Sequence, residues 1–184
     1  MAMVKAVAKV FEYLSQKVDG TAVGKTRLNK LLYYAQGHSL GETGEPLFSN
    51  NVDAWNYGPV VAVVYTNYDK IIQEADRDGI SGTGLTPAQL ELIVDVWNQY
   101  GREPAHSLVE RTHRSDTPWS RCYNGQRNAH ISQEIMKEYF SRSDNRLKRS
   151  TREAIQRIPE IDKLPKEDYD PEEDAIWEAM LREN

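Results

Sequence analysis

Hydrophobic residues recur at every third or fourth position along most of this chain, a spacing that predicts α-helices. The first stripe of this kind ends at Asp19 and Gly20 and consists of Val4, Val7, Phe11, Leu14 and Val18. A second stripe follows Thr26, which is predicted to cap its helix, and consists of Leu28, Leu31, Leu32 and Ala35. Gly37 falls inside this second helix, where glycine costs about 1 kcal/mol relative to alanine, so we expect close packing by a neighbouring element there.

The region from residue 45 to residue 65 predicts the β-structure of the chain. Two short apolar runs, residues 47–48 and 52–55, are separated by the turn-forming residues 49–51, and this pattern indicates a small hairpin. Because proline suits the first position of a helix, Pro59 is expected to begin a third helix. Farther along, Thr86 and Ser132 are predicted to cap two more helices.

These patterns predict a mainly α fold, with a compact helical domain over residues 1–141, one small β-hairpin, and a helical C-terminal extension over residues 142–184. A length of 184 residues suits one domain with an appendage. No apolar run approaches the roughly 20 residues that a membrane span requires, so no membrane partner is expected. The amphipathic N-terminal stretch is interpreted as a helix rather than a signal peptide. The single cysteine, Cys122, cannot form an internal disulfide, which favours a cytoplasmic location.

Charge is unevenly distributed along the chain. The formal net charge is −5, yet residues 160–184 hold ten acidic and three basic side chains, a net charge of −7. Residues 141–159 carry six basic and two acidic side chains, a net charge of +4. Two interpretations follow: the segments are solvated faces that pair with each other, or they form a docking surface for a charged partner.

Side chains that would indicate catalysis or metal binding are scattered. The four histidines lack the paired spacing of a zinc site, and one cysteine cannot supply the missing ligands. The glycine-rich loop at residues 79–84 lacks the Lys-Ser/Thr ending of a phosphate-binding loop. We therefore predict a protein that is not an enzyme and has no cofactor and no metal. A hydrolase with an unrecognised site is a third hypothesis, behind the two that follow.

One alternative function is a nucleic-acid-binding regulator of its own operon. The first two predicted helices resemble a helix-turn-helix, in which Lys25, Arg27 and Lys30 would contact phosphates. The connection between the two helices is longer than in that motif, and the chain is acidic overall. Nucleic acid is therefore the less favoured partner.

A spaced set of motif residues carries a more specific resemblance. The set comprises Leu31, Tyr33, Tyr34, Gln36, Gly37, Pro46, Phe48, Trp55, Tyr57, Gly58, Pro59, His113, Pro118 and Trp119. It resembles the Panacea domain, the SocA-like antitoxin domain that also occurs in phage-associated proteins of the GepA type. The resemblance covers about residues 5–141. Gly37-His38-Ser39 stands where many relatives have Gly-Trp-His.

The resemblance implies a helical protein-binding domain that acts as the antitoxin of a toxin–antitoxin system, with a cognate toxin encoded nearby. Such antitoxins neutralise toxins by direct contact, and the SocA branch works as an adaptor that delivers its toxin to a AAA+ protease. Both modes stay open at this point, and neither needs catalytic residues. The motif residues are interpreted as scaffold, and Trp55, Tyr57 and Trp119 are expected to be substantially buried and to act mainly on stability.

The last part of the chain carries a separate hypothesis. A helix start is predicted at Asp170 and Pro171, and the helix would present an apolar stripe of Ile176, Trp177, Met180 and Leu181. One interpretation is that this stripe packs on the chain's own domain. The other is that it binds a groove of the toxin, with Trp177 as the anchor and acidic neighbours such as Glu173 steering a basic target.

Overall fold

A computed structural model of the chain describes residues 2–80, 82–126 and 129–148. Within these residues the secondary structure consists of eight α-helices, one two-stranded antiparallel sheet and one short 3-10 helix at Ser143–Asn145. In chain order the elements are α1 (Val4–Val18), α2 (Lys25–Thr43), β1 (Asp53–Trp55), β2 (Gly58–Val60), α3 (Ala62–Thr66), α4 (Tyr68–Asp78), α5 (Pro87–Tyr100), α6 (Ala105–His113), α7 (Pro118–Cys122) and α8 (Gln133–Ser141). The fold is mainly α with one small hairpin, as the sequence predicts.

Helix α2 is the central element of the described domain, and it packs against α1, α5, α6 and α8. Residues 26–40 are all buried, so this helix has no polar face although it contains several polar side chains. The helix begins at Lys25 with Gly24 as its cap, so the prediction that Thr26 caps it is wrong by two residues. It ends at Thr43, and Gly44 caps it with φ 78° and a backbone N–H that donates to the Leu40 carbonyl oxygen.

Close packing between α2 and α8 explains the glycine in the middle of the central helix. A Cβ built on Gly37 would lie 2.2 Å from Cε2 of Phe140, and one on Gly41 would lie 2.6 Å from the backbone carbonyl carbon of Phe140. Real Cβ atoms do not approach other atoms so closely, so only glycine fits at these positions while α8 stays in place. The expectation of a tightly packed neighbour at Gly37 is confirmed.

The hairpin lies later in the chain than predicted. Strand β1 pairs with β2 so that Ala54 lies opposite Pro59. On its other side, the Ala54 N–H donates to the Ala129 carbonyl oxygen at 2.7 Å, so Ala54 and Pro59 form a non-hydrogen-bonded pair. Proline, which has no N–H, therefore costs the ladder no hydrogen bond at this position. The prediction that Pro59 begins a helix is wrong, because α3 begins at Ala62.

Residues 47–48, which are predicted to form the first strand of the hairpin, pair instead with other parts of the chain. Phe48 forms an isolated parallel bridge with Ala2, and the Ala2 N–H donates to the Leu47 carbonyl oxygen at 2.7 Å. The backbone of Phe48 also pairs with the side chain of Gln36 on α2. This run is therefore held to the first residues of the chain and to the central helix rather than to a neighbouring strand.

Candidate functional site

The tip of the hairpin is built where the backbone passes very close to two helices. Gly58 adopts φ 98°, a conformation that favours glycine. A Cβ on Gly58 would lie 2.7 Å from Cε of Lys30 on α2 and 2.8 Å from Oγ1 of Thr112 on α6. The Lys30 Nζ donates to the Pro59 carbonyl oxygen at 3.2 Å. The tip is thus fixed against the domain by its own backbone.

Three stacked aromatic rings support the hairpin from the other side. His113 at the end of α6 stacks on Trp119 with ring centroids 3.8 Å apart, and Trp119 stacks on Tyr123 at 4.6 Å. The Trp119 Nε1–H donates to the Trp55 carbonyl oxygen at 2.8 Å, and the Tyr123 hydroxyl donates to Oδ1 of Asn56 at 2.9 Å. The stack therefore fixes the position of both residues at the turn.

Helix α7 places Trp119 in this stack. The Thr117 hydroxyl oxygen accepts a hydrogen bond from the Ser120 N–H at 3.2 Å, and Pro118 occupies the first helical turn. These are the residues that favour a helix start, so a helix of only five residues is well defined. Pro118 and Trp119 both belong to the motif set, and both are buried.

Partly exposed aromatic residues lie on the hairpin and on the elements around it. We define the aromatic surface as Lys25, Trp55, Tyr57, Tyr65 and Tyr123, each of which is partly exposed. The Trp55 and Tyr65 rings meet edge to face with centroids 5.0 Å apart, and the Lys25 Nζ lies 4.8 Å from the Tyr65 centroid. Trp and Tyr on a rigid support are the side chains that most often dominate protein interfaces, because little conformational entropy is lost when they are covered.

This arrangement modifies the expectation that three motif aromatics are buried. Trp119 is only 8% exposed, so the expectation is met there. Trp55 and Tyr57 are only partly buried: Trp55 is the last residue of β1, and Tyr57 belongs to the two-residue turn that follows it. These two rings are therefore available to a partner as well as to the fold.

Polar side chains of α2 hold the segment that leads into and out of the hairpin. Oδ1 of Asn29 accepts from the Val61 N–H at 2.9 Å, and Oε1 of Gln36 accepts from the Phe48 N–H at 3.0 Å while its Nε2 donates to the Phe48 carbonyl oxygen at 2.9 Å. A buried segment without regular secondary structure needs such partners. Gln36 belongs to the motif set, whereas Asn29 does not. The signal for Asn29 in the sequence is that it is a polar residue next to the leucine stripe of α2.

The nucleic-acid hypothesis loses two of its three phosphate contacts. The side chain of Arg27 is completely buried and pairs with Asp19, and Lys30 is 1% exposed and bonds to the Pro59 carbonyl oxygen. Only Lys25 remains partly exposed, and it lies over the Tyr65 and Tyr68 rings. The correction has a simple cause: the helix predicted to face DNA is surrounded by other helices.

A second group of motif residues lies on the opposite half of α2. Tyr34 stacks on Tyr100 with centroids 4.0 Å apart, and Nε2 of His38 lies 3.0 Å from the Tyr100 hydroxyl oxygen. His38 is completely buried, so the residue that differs from the common Gly-Trp-His pattern fills a core position here. Tyr33 is also buried and meets Phe140 edge to face at 5.5 Å.

The remaining predicted residues are distributed as follows. Leu31, Phe48, Gly58 and Pro59 are buried, and Pro46 is partly exposed beside a shallow cleft. The predicted partner-binding residues lie outside the described part of the chain; they are Glu173, Ile176, Trp177, Met180 and Leu181. Among the described residues, no group of His, Cys, Asp and Glu is placed to hold a metal ion. None of the described helices is long and apolar enough to span a membrane.

Comparisons with known proteins agree with the motif pattern. A family model described as "Antitoxin SocA-like, Panacea domain" matches residues 28–120, about half of the chain. The chain is also similar to Antitoxin SocA from Caulobacter vibrioides (strain NA1000 / CB15N), with 34% identity over 115 residues. That alignment covers 56% of this chain and 61% of the relative, so the chain spans less than two thirds of the relative's length. No solved structure matches the chain.

Proposed function

Because the chain belongs to the SocA-like antitoxin family defined by the Panacea domain, we propose that it neutralises a cognate toxin, encoded nearby, by direct protein–protein contact. The role is non-enzymatic and is carried out in the cytoplasm. The observation that supports binding most directly is the aromatic surface, where Trp55 and Tyr57 are partly exposed on a turn fixed by Trp119, Tyr123 and Gly58.

Binding at the aromatic surface is favoured by preorganisation. A partner that covers the Trp55 and Tyr57 rings removes apolar area from water, and the turn beneath them is already ordered. The entropy cost of binding is therefore small compared with that of ordering a loose loop. Lys25 at the edge of the aromatic surface adds a positive charge that favours an acidic or polar rim on the toxin.

The decisive experiment uses co-expression. The open reading frame adjacent to this gene is expressed in a bacterial host with and without the chain, and rescue of growth is measured. Tyr57→Ala is expected to reduce rescue, whereas Tyr13→Ala, which removes a partly exposed tyrosine from α1, is the matched control and is expected to preserve it. Thermal melting of both purified variants verifies that they are folded. Failure of the unmodified chain to rescue growth would refute the antitoxin role.

Delivery of the toxin to a AAA+ protease is a second mode of the same function. It rests on the branch of the family to which the relative belongs by name. The two modes differ in the fate of the toxin. Direct neutralisation leaves the amount of toxin unchanged while the chain is present, whereas delivery shortens its half-life. A pulse-chase measurement of the toxin in hosts with and without the protease separates them.

The C-terminal segment is proposed as a further contact with the toxin. The sequence places Trp177 and Leu181 in one apolar stripe and surrounds it with acids. Substituting both by alanine is expected to abolish rescue, while Arg182→Ala, on the opposite face of the predicted helix, serves as the control. Full rescue by the double variant would leave the interface on the domain itself.

A further inference from the structure

A polar cleft lies on the other half of the domain and shares no lining residue with the aromatic surface. It has a volume of about 200 Å³ and opens between α2, α5, α6 and α8. Its walls include Tyr33, Tyr34, Arg111, Arg114 and Tyr139. The tyrosine rings line the cleft, and the two arginines contribute positive charge from α6 and from the residue that follows it.

Two tyrosine hydroxyls at this cleft lack acceptors. Tyr33 is 1% exposed and Tyr34 is 4% exposed, and neither hydroxyl forms a hydrogen bond with a residue in the described ranges. Neither hydroxyl oxygen is among the fully buried side-chain atoms that lack a partner in the described residues, so both hydroxyls reach the open space of the cleft. Burial raises the pKa of both phenols well above its ordinary value, so both hydroxyls keep their protons at neutral pH and act as donors.

The arginines at the cleft differ in their availability. Arg111 donates from Nε and Nη2 to the two carboxylate oxygens of Glu103, at 3.1 and 2.7 Å, so its charge is already compensated. Arg114 is exposed and forms no ion pair with any residue that the structure describes. Asp144 at the cleft accepts from the Ser143 hydroxyl at 3.1 Å and adds one negative charge. The cleft therefore offers several hydrogen-bond donors and one cation, Arg114, that has no ion-pair partner among the described residues. One acid, Asp144, lies at the same cleft.

We propose that this cleft binds a single carboxylate, the side chain of an aspartate or glutamate on the protein that the chain neutralises. A carboxylate accepts several hydrogen bonds at once and matches two hydroxyl donors and one guanidinium. A phosphate dianion fits less well, because Asp144 lies at the same opening. Eight of the twelve residues around the cleft fall within residues 28–120, so it belongs mainly to the family domain rather than to the C-terminal segment. This inference rests on the proposed function.

The test has a binding arm that needs no toxin. The full-length chain, labelled with ¹³C at tyrosine, is titrated with N-acetyl-glutamate N-methylamide, with the glutamine analogue, and with inorganic phosphate at matched ionic strength. The ring signals of Tyr33 and Tyr34 are expected to shift with the glutamate probe and not with the other two. Tyr33→Phe and Arg114→Gln are each expected to weaken this binding by about three- to tenfold, the usual effect of losing one hydrogen bond or charge-assisted contact. Arg77→Gln, an equal charge change on an exposed side chain of α4, is expected to leave it unchanged.

A second arm connects the cleft to the toxin. Arg114→Gln is expected to lower growth rescue by the full-length chain, and Arg77→Gln is not. Equal shifts with the glutamine analogue, or none with glutamate, would overturn the proposal even if rescue is normal. Glutamate binding with rescue unaffected by Arg114→Gln would overturn the assignment to the toxin.

If changing Glu172, Glu173 and Asp174 to their amides strengthens glutamate binding, the chain's own acids occupy the cleft and the proposed occupant is wrong. Failure of the unmodified chain to rescue growth, with the glutamate shifts present, refutes the antitoxin role and leaves carboxylate binding intact.

Discussion

Gly37 on the central helix lies directly against the Phe140 ring of α8. A Cβ at residue 37 would overlap three atoms of the Phe140 ring, at 2.2, 2.4 and 2.7 Å. Phe140 is 2% exposed and also contacts Tyr33, Tyr34 and His38 edge to face, so three neighbouring rings hold its ring in place. The separation of α2 and α8 is therefore determined by the absence of a side chain at residue 37.

This contact predicts that Gly37→Ala destabilises the protein although alanine favours helices. Overpacking of this kind costs about 1–3 kcal/mol, enough to exceed a gain of about 1 kcal/mol in helix propensity. Chemical denaturation measures the loss. In a double-mutant cycle, Phe140→Leu is expected to recover part of it, because a smaller side chain makes room for the added methyl group. Additive losses in the double variant would show that the two residues are not in contact.

The pairing of Gln36 with Phe48 predicts a second stability effect. Gln36→Leu preserves the volume of the side chain and removes both partners of a buried backbone N–H and C=O. Leaving buried groups unsatisfied costs about 1–3 kcal/mol each, so we expect a loss of about 2–4 kcal/mol in the free energy of unfolding. Gln73→Leu, the same change at an exposed position of α4, is expected to alter stability by no more than about 0.5 kcal/mol. Similar losses for both variants would refute the pairing.

Substitution of Trp119 by alanine is expected to lower the free energy of unfolding more than the same substitution of Trp55. Trp119→Ala removes a buried ring, two stacking contacts and the hydrogen bond to the Trp55 carbonyl oxygen, so we expect a loss of about 3–5 kcal/mol. Trp55→Ala removes a partly exposed ring and leaves that carbonyl oxygen in place, so its loss should be at most half as large. Denaturation curves and growth rescue are compared for both. Equal destabilisation would argue that Trp55 serves only the fold.

Local patterns predicted the elements whose determinants are close together in sequence. The apolar spacing of residues 4–18 gave α1 with its end at Asp19, and Thr86 and Ser132 cap α5 and α8 as expected. The hairpin lies later in the chain than predicted because its limits depend on distant partners. The backbone of residues 52–54 forms hydrogen bonds with residues 129–131, and Phe48 pairs with Ala2 and Gln36. No pattern near residue 50 indicates these pairings.

In the candidate site, too, some features follow from the local sequence and others only from tertiary packing. The motif identified which aromatic residues matter, because their identity and order are written in the sequence. Their exposure depends on which face of a two-residue turn contacts α6 and α7, and that is a property of the tertiary packing. Similarly, Arg27 and Lys30 look like surface cations in a sequence, whereas the helices around α2 bury both and give them acceptors on residues 19 and 59.

The ring stack beneath the hairpin predicts a pH dependence of stability. Burial lowers the pKa of His113 below its ordinary value of 6.5, and the nearby Lys30 ammonium lowers it further. The folded state therefore binds a proton at His113 less readily than the unfolded state does. The stability contributed by the neutral imidazole is fully present above the unfolded pKa of about 6.5 and is lost as the pH falls through that value towards the folded pKa.

His113→Phe tests this dependence, because it keeps an aromatic ring on Trp119 and removes the titrating group. The free energy of unfolding of both proteins is measured from about pH 8 down to about pH 5, the range in which histidine titrates. The difference between the unmodified protein and the variant is expected to be constant above the unfolded pKa and to shift in favour of the variant below it. If the two curves stay parallel throughout, protonation of His113 does not oppose folding, and the ring stack tolerates a charged imidazole beside Lys30.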